Sequence, residues 1–298
     1  MRNAYKSLIV SALVGPLIWL VVGCGGGAEE KKEPPKPAPT GGAPAAPKTT
    51  APTTEPAKGG EPKAAVEGWG SVKGQIVYGG ASIPEPRVLI TEGDVKAAKD
   101  PHCAKHGIKS EELVVNPDNK GIRWAAVYLR GSPPAVAPAL KEPTEKKVIF
   151  DQEGCHFIPH VLAMRADQEL VVKSSDPIRH NTKMNPIRNQ PFNQMLDPNE
   201  KGRDVKLVSE GRPFSVECNI HPWMKAWILV LNHPYYVVTA ADGSFEIKDL
   251  PAGKRQLTVW HEKLAPQGKT VDVEIKPGET TDAGTITLQE GGVAQLAP

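Results

Sequence analysis

The chain lacks any strong surplus of charge. Its 298 residues carry 36 Lys and Arg against 34 Asp and Glu, a net charge of +2. A nucleic-acid binder normally shows a clustered basic excess, so no nucleic-acid partner is expected. Several chemical signatures are absent as well. No Cys-x-x-Cys or His-Glu-x-x-His spacing occurs, which removes the common zinc arrangements, and no Cys-x-x-Cys-His motif is present to attach a haem. No Gly-x-Ser-x-Gly elbow or phosphate loop is found, so hydrolase and nucleotide chemistry have nothing to rest on. Cysteine itself is scarce, with four in the chain.

Proline and glycine are abundant instead, at 30 and 28 residues, and they crowd toward the N-terminus. Residues 1–24 read as a targeting segment, with Arg2 and Lys6 as a positive start and Leu8 to Val22 as an apolar run broken by Gly15-Pro16. That run is short for a membrane span of about 20 residues. A plain secretory signal and a single membrane anchor remain open. Leu20-Val21-Val22-Gly23-Cys24 resembles a bacterial lipobox. The resemblance implies a lipoprotein signal peptide, lipid on Cys24, and a protein exported and held to the bacterial cell envelope, in the periplasm or on the outer surface. Residues 25–66 are rich in Pro, Ala, Lys, Thr, Glu and Gly and almost without large apolar side chains. Such a stretch cannot bury enough surface to offset its ordering entropy, so a disordered, extended linker is predicted.

From Gly68 on, the pattern is β throughout, and the predicted fold class is all-β. Strand candidates with alternating apolar residues are Ser71–Tyr78, Phe214–Cys218 and Val205–Val208; Trp124–Leu129, Lys147–Phe150, Val161–Met164, Glu169–Lys173 and Ala226–Leu231 are shorter or more uniformly apolar. One helical window runs from Asp94 to Lys105, and the Pro- and Asn-rich stretch 185–204 predicts a long irregular connection. Asp242-Gly243, between alternating runs, predicts a hairpin turn.

The chemistry concentrates in Cys218-Asn219-Ile220-His221-Pro222-Trp223-Met224, which places a thiol, an imidazole and a thioether within seven residues. Soft sulfur with imidazole selects copper, and two His with one Cys and a weak axial Met form the blue-copper electron-transfer arrangement. The second imidazole must come from elsewhere. His180, in Ser174-Ser175-Asp176-Pro177-Ile178-Arg179-His180-Asn181, is the best candidate. Taken singly, each residue also has an ordinary reading: a buried small Cys, a hydrogen-bonded His, a core-filling Met.

Cys-x-x-His-x-x-Met near the end of an all-β stretch resembles the cupredoxins, and the short loop with Pro after the His resembles the amicyanin type. Phe157-Ile158-Pro159, Glu169–Lys173, Ser175-Asp176 and His180-Asn181 resemble the family's run of strands into its first His ligand. The likeness covers roughly residues 145–233. It implies a Greek-key β-sandwich holding one type I copper through His180, Cys218, His221 and Met224. It also implies that Asn181 and Pro222 steady the ligand loops, that His221 is the ligand nearest solvent, and that Trp223, Pro222, Met184 and Pro186 form an apolar patch for a redox partner. Ordinary packing is an equal reading of Trp223 and the favoured one for Trp227. No His-x-His pair is present to build the trinuclear cluster of a multicopper oxidase, so an enzyme is not expected.

With Cys24 assigned to lipid and Cys218 to metal, Cys103 and Cys155 remain, and in an oxidising compartment such a pair joins as a disulfide. A second metal site stays open, because His102, His106, His156 and His160 flank the two cysteines. His233 and His261 are expected either to be structural or to cap loops. Asp-Gly-x-Phe followed by Leu-Pro-x-Gly, at Asp242–Phe245 and Leu250–Gly253, resembles carboxypeptidase regulatory-like (transthyretin-like) β-sandwich modules, whose usual opening strand corresponds here to Gly70–Ile76. The expected organisation is therefore 67–142 as early strands of a small second sandwich, 143–235 as the copper domain, 236–290 as later strands, and 291–298 as a tail. Either the copper unit is inserted into a discontinuous sandwich or two modules stand in tandem.

The resulting expectation is a lipid-anchored copper protein carrying single electrons between membrane-associated partners such as a cytochrome or a copper or quinone enzyme. The alternatives are a copper storage or delivery protein, and a structural surface module with no copper.

Overall fold

The structure is a computed structural model and describes residues 68–290; the expected signal segment with Cys24, the expected linker and the expected tail lie outside the described residues. The described chain is all-β, as expected, with twenty strands and little helix. The first strand, β1 (Trp69–Tyr78), alternates as half-buried strands do, with Val72, Ile76 and Tyr78 turned inward. Next come β2 (Val88–Ile90), two single-turn helices, β3 (Ile108–Lys109), β4 (Val114–Val115), β5 (Ile122–Arg123) and β6 (Ala126–Leu129).

The helices correct the single Asp94–Lys105 window. They are α1 (Val95–Ala98) and α2 (Pro101–Ala104), separated by Lys99 in a left-handed conformation and by Asp100, whose side chain caps the second. Pro101 suits the first turn of a new helix but not the interior of a continuous one.

The middle of the chain supplies β7 (Lys147–Glu153), β8 (His156–Ile158), β9 (Val161–Arg165), β10 (Glu169–Val172), β11 (His180–Met184), β12 (Phe192–Leu196), β13 (Arg203–Lys206), β14 (Phe214–Glu217) and β15 (Lys225–Leu231). They form two facing sheets, in the orders β13-β10-β7-β8 and β12-β11-β14-β15-β9. The interval 185–204 is not wholly irregular. It contains β12, which pairs with β11 from His180 opposite Leu196 to Met184 opposite Phe192. As an edge strand it is largely exposed, so it carries no alternating apolar signal.

The last strands are β16 (Tyr236–Val238), β17 (Ser244–Pro251), β18 (Gly253–His261), β19 (Ala265–Ile275) and β20 (Thr280–Leu288). They combine with the first ones: β17-β1-β20 makes one sheet and β16-β6-β18-β19 another, enclosing a core with Val72, Ile76, Leu257, Val259 and Ile275. Asp242-Gly243 makes a turn, but not a hairpin, because β16 and β17 on either side of it belong to different sheets. The turn tucks against β1 and β5. A Cβ on Gly243, at φ +78°, would stand 2.3 Å from the carbonyl oxygen of Ile76.

Four sheets thus stack face to face with three apolar layers between them. The middle layer joins the halves: Val161, Leu229 and Leu231 from one side meet Ala126, Tyr128 and Trp260 from the other. This explains the uninterrupted apolar runs of β6 and β15, whose successive side chains are buried on opposite faces. Trp227 belongs here too, edge-on to Trp260 with ring centroids 5.1 Å apart. The segment 90–108 packs differently from its place in the expected organisation. Ile90, Ala98, Ala104 and Ile108 join the core of the 147–231 half, beside Phe150 and Phe157.

Candidate metal centre

His180 opens β11, and alternation puts His180, Thr182 and Met184 on the same inward face. Cys218 directly follows β14 and Met224 directly precedes β15, so the ligand candidates occupy the loop joining two antiparallel strands. The loop closes on itself: Cys218 N–H donates to Met224 O at 3.2 Å, and Met224 N–H to His221 O at 2.9 Å. Three donor atoms converge. His180 Nδ1 lies 2.8 Å from His221 Nδ1, and Cys218 Sγ lies 3.9 Å from His221 Nδ1, with all three residues buried. Met224 is buried against the same loop.

The polar surroundings hold these donors in place. Asn181 spans the two ligand segments: its Oδ1 accepts from Asn219 N–H at 2.7 Å and its own N–H points to Cys218 Sγ at 3.5 Å. Its Nδ2 donates to Asn193 Oδ1 on β12. Asp176 is the group that sequence reasoning passed over. Its carboxylate accepts from His180 Nε2 at 2.8 Å, from His102 Nε2 at 2.9 Å, and from the N–H groups of Gly154 and Cys155 at 2.7 and 2.8 Å. An ionised carboxylate only accepts, so His180 carries a proton on Nε2 and turns Nδ1 toward Cys218 and His221. The one available signal was position, since an Asp four residues before the first His is spaced to reach its ring.

The electrostatics favour a thiolate. Burial pushes the Cys218 thiol up, but hydrogen bonding with His180 and His221 and then the Asn181 N–H outweighs it and brings the pKa down to about 6. Burial works against charge on His180 too, yet Asp176 and Cys218 together hold its pKa above the ordinary value. Burial would raise Asp176; the bonds from His180, Cys155 and His102 win and keep it well below the usual carboxylate range.

Cys103 and Cys155 are joined by a disulfide, with Cα atoms 5.5 Å apart. It bears on the metal centre twice. Cys155 N–H reaches Asp176, and Cys155 O accepts from Trp223 Nε1 at 3.2 Å, while the Trp223 ring lies 5.1 Å from that of His221. The expected surface patch is corrected in one member. Met184 is 1% exposed and part of the core, because it shares the inward face with His180. Pro222 is exposed, and Trp223 and Pro186 are half-buried. His221 is 3% exposed, hardly more than the other donors, because the loop and Trp223 cover it. Another unanticipated anchor is buried Glu210, whose carboxylate accepts the N–H groups of Ile187, Arg188 and Asn189 and so fixes the loop after β11. His233 and His261 do cap loops: His233 Nε2 donates to Leu129 O, and His261 Nδ1 accepts from Lys263 and Leu264.

No protein-family profile matches the chain, and no curated protein matches it. Solved structures with partial likeness do exist. One is a copper-containing nitrite reductase from Thermus scotoductus, 24% identical with a TM-score of 0.26, over 33% of this chain and 25% of that one. Another is amicyanin from Paracoccus versutus, 16% identical with a TM-score of 0.25, over 35% of this chain and 96% of that one. A third is a purple cupredoxin from Nitrosopumilus maritimus, 18% identical with a TM-score of 0.23, over 29% and 99%. The chain thus spans a quarter of the nitrite reductase's length and nearly all of the two small proteins.

The donor set fits a soft or borderline metal ion. One thiol poised to ionise and two imidazoles come together in a buried, hydrogen-bonded site. No ordinary hydrophobic core requires that combination.

Proposed function

We propose that this protein is an exported, lipid-anchored type I copper protein that carries single electrons between membrane-associated redox partners. The observation that carries the reading is the convergence of Cys218 Sγ and the Nδ1 atoms of His180 and His221 at one buried point. Copper bound there would supply a one-electron couple. Cys218 would hold it as thiolate, His180 and His221 as imidazoles, and Met224 from the same loop as a weak thioether. Asp176 holds the ring of His180 through Nε2, and Asn181 ties the two donor segments to each other, so these donors would be held in place whether or not an ion is bound. Above His221, exposed Pro222 and half-buried Trp223 offer a small apolar surface for a transient partner such as a cytochrome or a copper or quinone enzyme. Lipid on Cys24 and the linker 25–66 would hold that surface at reach from the membrane.

The test is a visible spectrum of the full-length protein in detergent, loaded with Cu(II), beside Cys218→Ser. An intense thiolate-to-copper band that disappears in the variant is the expected result. Copper binding without such a band would favour storage or delivery. Absence of copper binding would leave a structural module.

A further inference from the structure

A second cluster lies apart from the Cys218 centre. A cleft of about 670 Å³ runs between the 147–231 half, the segment around Glu111, and the β18–β19 turn. It is lined by His156, His160, Glu111, Glu112 and Glu262 among others, and one wall is the ligand loop at Pro222–Met224. His160, between β8 and β9, is 4% exposed. Its Nε2 donates to the Glu262 carboxylate, which can only accept. With that proton on Nε2, the neutral form of the ring presents a lone pair at Nδ1. That atom is buried and has no hydrogen-bond partner, and it faces Glu111 Oε2 at 3.9 Å. Among the described residues no lysine or arginine pairs with Glu111.

Two acceptors facing each other, one buried and one at the edge of a cleft, favour something positive between them, and the width of the gap narrows what. A direct hydrogen bond would close it to about 3 Å. A bridging water, with two bonds of about 2.8 Å, would open it to about 4.6 Å. A metal ion with bonds of about 2.1 Å to nitrogen and oxygen spans about 3.4 Å at the tetrahedral angle and about 4.2 Å in line. The observed 3.9 Å falls in the last interval.

We propose that His160 and Glu111 form a second site, for a borderline divalent cation of the zinc or copper(II) class. Imidazole with carboxylate suits such ions better than calcium or magnesium. Glu262 orients His160 through its other nitrogen, as carboxylates do behind histidine ligands. His156 turns a second lone pair outward, because its Nδ1 is taken by Gly154 O at 2.8 Å and Nε2 is left without a partner in the same cleft. An ion here ties Glu111 to the 147–231 half and, through Glu262, to the other one, so binding raises the thermal stability of the fold by mass action.

The experiment is zinc uptake by the full-length protein, counted after equilibrium dialysis, with melting temperature read in parallel. Wild type takes up two zinc ions. Cys218→Ser and Glu111→Gln each weaken a different one by at least tenfold, and adding Glu111→Gln to Cys218→Ser removes the zinc-dependent rise in melting temperature that Cys218→Ser alone retains. Glu111 is partly exposed, so its variant folds even where His160→Gln does not. Zinc uptake by Glu111→Gln equal to wild type in number and affinity overturns the proposal. So would ¹⁵N spectra of the zinc-loaded protein with both ring nitrogens of His160 protonated, since a proton then fills the gap. Failure at Cys218→Ser alone bears on the first site and leaves the second intact.

Discussion

The two halves of the molecule are built on the same plan and filled differently. In the half assembled from the chain's outer segments the enclosed core is mostly apolar, from Val72 and Ile76 to Leu257, Val259 and Ile286, with His233, Thr239 and His261 as its buried polar residues. In the half drawn from the middle, Gln152, Asp176, His180, Asn181, Thr182, Glu210 and His221 are all buried as well. Burying so many polar groups is costly unless each finds partners, and nearly every one here is bonded to another ligand-bearing or loop-fixing group. The difference separates a half selected for cohesion from a half that spends cohesion on a chemical centre.

That contrast can be broken by mutation. Leu257→Ala in the apolar half should cost about 2–5 kcal/mol in denaturant unfolding and leave the spectrum of a copper-loaded protein where it was. A shifted band would mean that the halves are not separable. Replacing both Cys103 and Cys155 by Ala should cost about 2–5 kcal/mol. Unlike Leu257→Ala, it should also move the band, since the disulfide pins the backbone whose N–H and C=O at position 155 hold Asp176 and Trp223. Asp176→Asn keeps the shape but loses the charge that sets the His180 tautomer; metal affinity should fall about 10–100-fold with a smaller change in unfolding midpoint.

The smallest effect is a pH dependence with opposite origins in the two halves. His261 is pushed by burial down to about 4, so its contribution is present above the ordinary imidazole value of 6.5 and is lost as pH falls toward 4. The metal-free centre works through a thiolate–imidazolium pair. Its Cys218 contribution is complete above the ordinary thiol value of 9.0 and lost as pH falls through about 6, whereas the raised His180 contributes below 6.5 and loses that as pH rises through its folded value. Metal must displace the His180 proton, so affinity measured by competition titration should weaken steadily below neutral pH. An affinity flat from pH 8 to 5 would contradict this.

How much of this was legible beforehand depended on where the information sits. Cys218, His221 and Met224 were readable because a hairpin loop keeps its donors adjacent in sequence. His180 was readable from the run Ser175-Asp176 to His180-Asn181, which resembles the one leading into the cupredoxins' first His ligand. Asp176 was not readable, because its four donors come from His102, Gly154, Cys155 and His180, and only the last is near in the chain. The apolar runs at Trp124–Leu129 and Ala226–Leu231 marked strands, but not that each has a second sheet to face. Strand β12 escaped notice because an edge strand has only one neighbour and little to bury. Asp242-Gly243 misled for a related reason: turn chemistry specifies a reversal of the chain, not which sheet the next strand joins.

Strand β1 has one more consequence. It runs in the centre of its sheet, antiparallel to β17 on one side and parallel to β20 on the other, with register from Ser71 opposite Thr280 to Tyr78 opposite Leu288. Residues before Gly68 therefore attach to the molecule through a clamped strand and not a peelable edge. A pull along that strand loads two ladders of backbone bonds at once, in shear, and must break them together before the fold gives way. The attachment point is mechanically among the strongest places in the described fold.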